Sequence, residues 1–369
     1  MKKLNLIIKV STMLIAVALL VMFSVLPSAN KPPNEEDPTD QNGGSSQTQS
    51  YEMDVVDISK QKYTYAEMVD DLALLSERYA GKMSYESVGR SLDGRNLYAV
   101  TLGNPEAKKQ IVITAGVHAR EYMTPMLVMR QLEYYLYSYD TESYKGIPLS
   151  EIFDEYAFCI MPMCNPDGIS LSQFGLNGIR SEELRNKITA IYEADKQDGF
   201  VNGTMNDYLS VWKANARGVD INRNFDTEDF SSSSKMARPS FMNYHGESAE
   251  SEPETKAMAD FVRDLENPVL SIAVHSQGEV IYFNCGQKNY DEAHDFGASV
   301  SDLTKYVLQY SLRRDSAFDD WCNKNMQIPA ITVETGSLPC PLPISEFDEI
   351  WAVNRDLWLF SALYHKGLQ

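Results

Sequence analysis

Ile111-Val-Ile-Thr-Ala-Gly-Val-His-Ala-Arg-Glu-Tyr-Met-Thr-Pro125 is an apolar, largely β-branched run that ends abruptly in ionisable side chains. Such a run, closed by glycine, fits a strand of a parallel sheet buried on both faces. Open α/β sheets bind ligands outside the carboxyl ends of their strands, which is where His118, Arg120 and Glu121 fall. Two residues separate His118 from Glu121, so one loop or first helical turn can aim an imidazole nitrogen and a carboxylate at one point.

Two ligands do not close a metal site. A catalytic Zn²⁺ takes three protein ligands and keeps a fourth position open. The same pattern recurs at Val269-Leu-Ser-Ile-Ala-Val-His275-Ser-Gln-Gly278, and again, ending in a carboxylate, at Ile328-Pro-Ala-Ile-Thr-Val-Glu334-Thr-Gly336. Three strand ends therefore deliver two His and two Glu. The reading is that His118, Glu121 and His275 hold one Zn²⁺ per chain. Glu334 then takes a proton from a metal-activated water and passes it to a leaving amine.

Outward from these strands, Thr64-Tyr-Ala-Glu67 has capping-box spacing and predicts an amphipathic helix to about Tyr79. Strands are predicted at 97–102 and 156–163 and a short one at 279–283, with helices at 125–138, 181–194 and 291–309 and a terminal helix at 345–364. Asn165-Pro-Asp-Gly168 reads as a turn, Ser231 to Ser234 as a flexible tip, and Ser251-Glu-Pro-Glu254 as a capping box opening a helix to about Leu265. The stretch 211–225 lacks an amphipathic period and is dense in polar groups, as a functional loop is. Strands alternating with helices imply a single α/β domain: a mainly parallel, mixed, twisted sheet with helices on both faces.

The chain has 369 residues and a formal charge of −19, from 33 basic against 52 acidic side chains, a surface that repels phosphate backbones and argues against nucleic acid. Lys2 and Lys3 precede an apolar run to Pro27, so residues 1–29 read as a signal peptide or an N-terminal membrane anchor. Either form exports the remainder, which makes the protein secreted or anchored outside the cytoplasm. Residues 30–58 read as a disordered polar linker, and residues 59–369 as the catalytic domain, expected to be monomeric. The five cysteines are odd in number and lack C-x-x-C spacing, so no zinc knuckle or dithiol motif is expected. Cys159 and Cys164 are placed in one strand, facing opposite sides.

His118-x-x-Glu121, Gly218-Val-Asp-Ile-Asn-Arg-Asn-Phe225, His275 and Thr332-Val-Glu334 together resemble the zinc carboxypeptidase A/B family, from about residue 60 to the C-terminus. The two-His, one-Glu zinc set is a known property of carboxypeptidase A. The resemblance implies a zinc carboxypeptidase fold and hydrolysis at peptide or protein C-termini. It makes Glu334 the general base and acid, Asn222 and Arg223 the pair that holds the terminal carboxylate, and Arg120 a contact further from the cut. Lys213 stands where the family usually has an arginine polarising the scissile carbonyl. An ungapped count places the family's closing tyrosine at Leu312, so Tyr310 takes that role only with a shift. Asp319, two before Trp321, resembles the pocket aspartate of the basic-specific branch. His275-Ser-Gln-Gly-Glu279 instead resembles the bacterial branch that cuts γ-D-glutamyl bonds to a diamino acid in cell-wall peptides. A catalytically inert binding module on the same fold would have lost a ligand or Glu334, and this chain has both.

Overall fold

The computed structural model describes residues 52–283, 289–310 and 315–368. The leader, most of the linker, Cys285 and Leu312 lie outside them. The strands in chain order are β1 (Met83–Arg90), β2 (Asn96–Leu102), β3 (Lys109–Ala115), β4 (Ser143–Tyr144), β5 (Ile147–Pro148), β6 (Tyr156–Met161), β7 (Pro268–His275), β8 (Val280–Phe283), β9 (Val307–Tyr310) and β10 (Ala330–Glu334). Eight of them form one open sheet in the order β1-β2-β6-β3-β7-β10-β8-β9, and β4 and β5 form a small separate hairpin. The central pairs β6–β3, β3–β7 and β7–β10 are parallel, as is β8–β9 at one edge, while β1–β2, β2–β6 and β10–β8 are antiparallel. The expected mainly parallel, mixed sheet is what forms.

Successive residues of a strand point to opposite faces, and the central strands bury both. Ile111 and Ile113 of β3 join Ile272 and Val274 of β7 in one core, with Met68, Leu72, Met126, Phe296 and Trp358 from the covering helices. Val112 and Ala273, on the alternate face, pack with Met258, Phe318 and Trp321. A third cluster, around Leu184, Ile188, Tyr208 and Trp212, lies beside the sheet and supports the polar loop 211–225.

Several local features depart from the sequence reading. Val55 and Val56 are buried, and their N–H groups donate to the Glu133 carboxylate at 2.8 and 3.2 Å. Ordered packing therefore begins inside the stretch assigned to the linker, because two apolar side chains find a core. Asn165-Pro-Asp-Gly168 opens a helix, Pro166–Phe174, with Asn165 as its side-chain cap and Pro166 in its first turn, a placement in which proline gives up no hydrogen bond.

The Ser251-Glu-Pro-Glu254 box does not form. Pro253 starts the helix Pro253–Arg263, Glu252 sits at its cap without a side-chain capping bond to the helix, and Glu254 is buried. Ser231 to Ser233 belong to a short helical turn, with Ser233 buried. The helix expected over 291–309 ends at Thr304, where Lys305 adopts φ +65°, and the chain continues as edge strand β9. The terminal helix is two segments, Phe347–Asn354 and Leu357–Lys366. Cys164 lies past the end of β6, so Cys159 and Cys164 do not share a strand; both are buried free thiols that burial pushes up to about 12.

Candidate active site

β3, β7 and β10 lie side by side and parallel, so their carboxyl ends open on one edge of the sheet. Glu334 is the register partner of His275, which sets the two side chains on neighbouring strand ends. His118 follows β3 after a sharp turn at Gly116, whose φ is +63°. A Cβ there would lie 2.8 Å from Pro125 Cγ and 3.0 Å from Ile169, so only glycine lets the chain turn under the helix that follows. The Asn165 amide then donates to the carbonyls of Val117 and Ala214, both at 3.1 Å, and Ala119 N–H donates to Lys213 O. The loop carrying His118 is thereby tied to the loop carrying Lys213.

His118, Glu121 and His275 are buried and their ligating atoms lie within 4.8 Å of one another. His118 Nδ1 faces Glu121 Oε1 at 2.9 Å, His275 Nδ1 faces Glu121 Oε2 at 2.9 Å, and the two imidazole Nδ1 atoms are 3.0 Å apart. Two ring nitrogens pointed at each other and at a carboxylate make a donor set suited to a shared cation, and the His₂Glu set is one that catalytic zinc uses. The residues therefore fit the metal. Burial works against the charge on Glu121, yet the two imidazoles hold its carboxyl well below the usual range. Ser276 N–H steadies Glu121 Oε2 at 3.2 Å.

Asp220, fully buried, lies 3.3 Å from His118 Nε2. Burial opposes its charge, but His118, Lys213 and Arg223 hold its carboxyl below the ordinary range. A carboxylate behind a ligating imidazole fixes the ring's tautomer and orientation. Glu334 has the opposite balance: burial first, then Glu121, push it up to about 7 against His275, Lys213 and Arg120. A carboxyl with that poise both accepts and donates near neutral pH.

One cavity is lined by His118, Lys213, Asn222, Arg223, Tyr282, Asp315, Ala317, Asp319, Asp320, Thr332 and Glu334. It gathers every residue singled out from the sequence except Arg120, Tyr310 and two members of the metal-site cluster, Glu121 and His275. Arg120 is partly buried, its Nε without a hydrogen-bond partner among the described residues, and its charge acts on Glu334. Tyr310 does not join the cavity. It is an exposed residue of edge strand β9, with its ring packed on Phe283 at 5.3 Å and Tyr290 at 5.6 Å. Asp319 is only 6% exposed and so does not lie on the open surface, and burial pushes its carboxyl up to about 6. Asp320 is raised too, by burial and then by Asp319, and its Oδ1 has no hydrogen-bond partner among the described residues.

Sequence reasoning assigned no role to Asp220, Tyr282, Asp315 or Asp320. Asp220 lies within the Gly218–Phe225 motif, two residues before Asn222. Tyr282 was reachable as an alternate residue of the short strand after His275. The two other aspartates carry no such signal.

Residues 68–355 match the Peptidase_M14 model, described as zinc carboxypeptidase. The chain belongs to the zinc carboxypeptidase family. Among its relatives, gamma-D-glutamyl-L-diamino acid endopeptidase 1 of Lysinibacillus sphaericus is 30% identical over 303 residues, covering 81% of this chain and 72% of that protein. Mast cell carboxypeptidase A of Mus musculus is 25% identical over 244 residues, 64% of this chain and 51% of its own length. The structure of bovine thrombin-activatable fibrinolysis inhibitor, solved with a tick carboxypeptidase inhibitor, superposes with a TM-score of 0.65 at 20% identity, over 82% of this chain and 97% of that one. This last likeness speaks for the zinc carboxypeptidase fold, an open mixed sheet without a closed barrel.

Proposed function

We propose that this family member is a zinc metallocarboxypeptidase that hydrolyses the amide bond to the C-terminal residue of a peptide. The observation that carries the reading is the layout of one cavity. That cavity gathers Glu334 and His118, a member of the His118, Glu121, His275 cluster, with Asn222 and Arg223, the pair suited to a carboxylate. His118, Glu121 and His275 would hold zinc, which would supply Lewis acidity toward water and the scissile carbonyl. Glu334 takes the proton from the attacking water and returns it to the departing nitrogen. Lys213 places a point charge beside the oxygen that becomes negative, without the fork an arginine would offer. Asn222 and Arg223 receive the substrate carboxylate, and Asp319 faces the side chain of the residue released. Asp220 keeps the His118 ring in place.

A second reading is favoured by the Lysinibacillus relative and by the acidic cavity wall: cleavage of a γ-D-glutamyl bond to a diamino acid in cell-wall peptides. Its leaving residue also carries a carboxylate, and its second amine suits Asp319. Turnover of zinc-loaded protein on peptides ending in Lys, in Phe and in a γ-D-glutamyl-diaminopimelate unit separates the two. Release of terminal Lys supports the carboxypeptidase reading, cleavage of the wall peptide alone replaces it with the second, and inertness on all three removes both. We also propose that the leader exports the enzyme. N-terminal sequencing or fractionation that finds the chain with intact residues 1–29 in the cytoplasm would refute this.

A further inference from the structure

The Arg223 guanidinium is held on one side and blocked on the other. Its Nε donates to Asn243 Oδ1 at 3.1 Å and lies 3.5 Å from Asp220 Oδ2. Asn243 N–H in turn donates to Asp220 Oδ2 at 3.1 Å, so the Nε side rests on a closed triangle. Nη1 instead meets Asp315 Oδ1 at 2.6 Å, an ion pair whose orientation gives no aligned hydrogen bond. A guanidinium grips a carboxylate best through two parallel N–H donors, either Nη1 with Nη2 or Nε with Nη2. Each of those edges already has one nitrogen against an oxygen, Nε in a hydrogen bond to Asn243 and Nη1 in an ionic contact with Asp315. The Nε engagement is a well-aligned support buried behind the cavity, whereas Asp315, 17% exposed, lines the cavity itself. Asp315 is therefore the partner that a substrate carboxylate must displace.

We propose that Asp315 is a specificity-determining residue: it occupies one arm of the Arg223 clamp and so favours leaving residues that carry an ammonium group as well as a carboxylate. The proposal rests on the reading above, in which Arg223 receives the substrate's carboxylate. A carboxylate entering alone takes Arg223 from Asp315 and leaves that side chain uncompensated, on a wall that already carries Asp319 and Asp320. A residue with its own ammonium returns a counter-charge as it arrives. Like charges left unpaired in a partly buried cleft are the repulsive element by which a site rejects the wrong ligand.

The test compares two peptides identical except for a final Lys or a final norleucine, which keeps the four-carbon side chain and lacks the amine. Relative to the native enzyme, zinc-loaded Asp315→Asn should bind the norleucine peptide about 5- to 10-fold more tightly and shrink the preference for Lys by at least that factor. Asp315→Glu, which keeps the charge, should retain the native preference. Asp319→Asn should weaken Lys binding without improving norleucine. Norleucine affinity that falls or stays level in Asp315→Asn would make Asp315 a mere support of Arg223 and overturn the proposal. Affinities are measured by calorimetry in a Glu334→Gln background, so they do not depend on turnover. If no peptide is hydrolysed by the native enzyme but the affinities follow this pattern, the peptidase reading falls and the role of Asp315 stands.

Discussion

Two sets of site residues are built differently, one, the sheet end, on strands and the other, the loop end, on connections. In the first, His118, His275 and Glu334 sit at or just beyond the ends of three adjacent parallel strands, so the hydrogen-bond register of the sheet sets their spacing. In the second, Lys213, Asn222, Arg223 and Asp315 are carried by loops and a single 3-10 turn, Ile221–Arg223. Their positions depend on polar contacts: Asn165 to Ala214 O, Asn222 Oδ1 accepting from Phe318 N–H at 3.0 Å, and Arg223 on Asn243. A sheet fixes geometry cooperatively, whereas a loop fixes it one hydrogen bond at a time. Chemistry common to a family sits naturally on the first, and selectivity on the second.

The largest expected effect lies at the sheet end. Glu334→Gln keeps the shape of the cavity and removes proton transfer, so turnover should fall by about 10²- to 10⁴-fold while the zinc content of the purified protein stays the same. Metal analysis beside steady-state rates checks this, and a variant that still turns over at the native rate would sink the proton-transfer assignment. A smaller effect is expected at the loop end. Arg223→Gln should raise KM by about 10- to 100-fold for peptides with a free C-terminal carboxylate, the range for losing a charge-assisted hydrogen bond. Peptides capped as the C-terminal amide should hardly respond. If both classes lose equally, the loop end has collapsed as a whole and the contrast drawn between the two ends is wrong.

The same contrast explains what the sequence disclosed. An apolar β-branched run ending in His or Glu with a Gly close by is a local signal, and His118, His275 and Glu334 are legible from that signal alone. The central sheet followed from the same runs. Asn222 and Arg223 needed the family resemblance, because a loop residue's position depends on contacts distant in sequence: Phe318 lies 96 residues from Asn222 and Asn243 lies 20 from Arg223. Tyr310, taken for the closing tyrosine only by allowing a shift, lies outside the cavity, because β9 forms where a helix was expected and its tyrosine ring packs on Phe283. The capping box at Ser251 failed because Pro253 fixed the helix start and Glu254 was drawn into the interior.

Glu254 offers the smallest test, on stability and not on chemistry. It is buried in the support of the loop end, accepting from Leu92 N–H at 3.3 Å and from the Asn215 amide at 3.2 Å. Asn215, two residues from Lys213, also donates to Glu252 at 2.7 Å. Burial, and after it the neighbouring Asp167, push the Glu254 carboxyl from an ordinary 4.5 up to about 8. Between those values the folded protein keeps a proton that the unfolded chain has lost. The native state then binds more protons than the unfolded one, so stability falls as pH rises through this window and levels off above it. One pKa unit corresponds to about 1.4 kcal/mol, and a loss of about 2 kcal/mol between pH 5 and 8 is a conservative expectation. Glu254→Gln keeps a side-chain carbonyl to accept a hydrogen bond but cannot ionise, so its denaturant midpoints should be flatter over that range than those of the native protein. Hydrogen exchange should place the pH-dependent loosening at residues 211–225 and leave β3, β7 and β10 protected. An equal slope in the two proteins would show that Glu254 is not the titrating group, and loosening of the central strands would show that the loop end and the sheet end do not unfold separately.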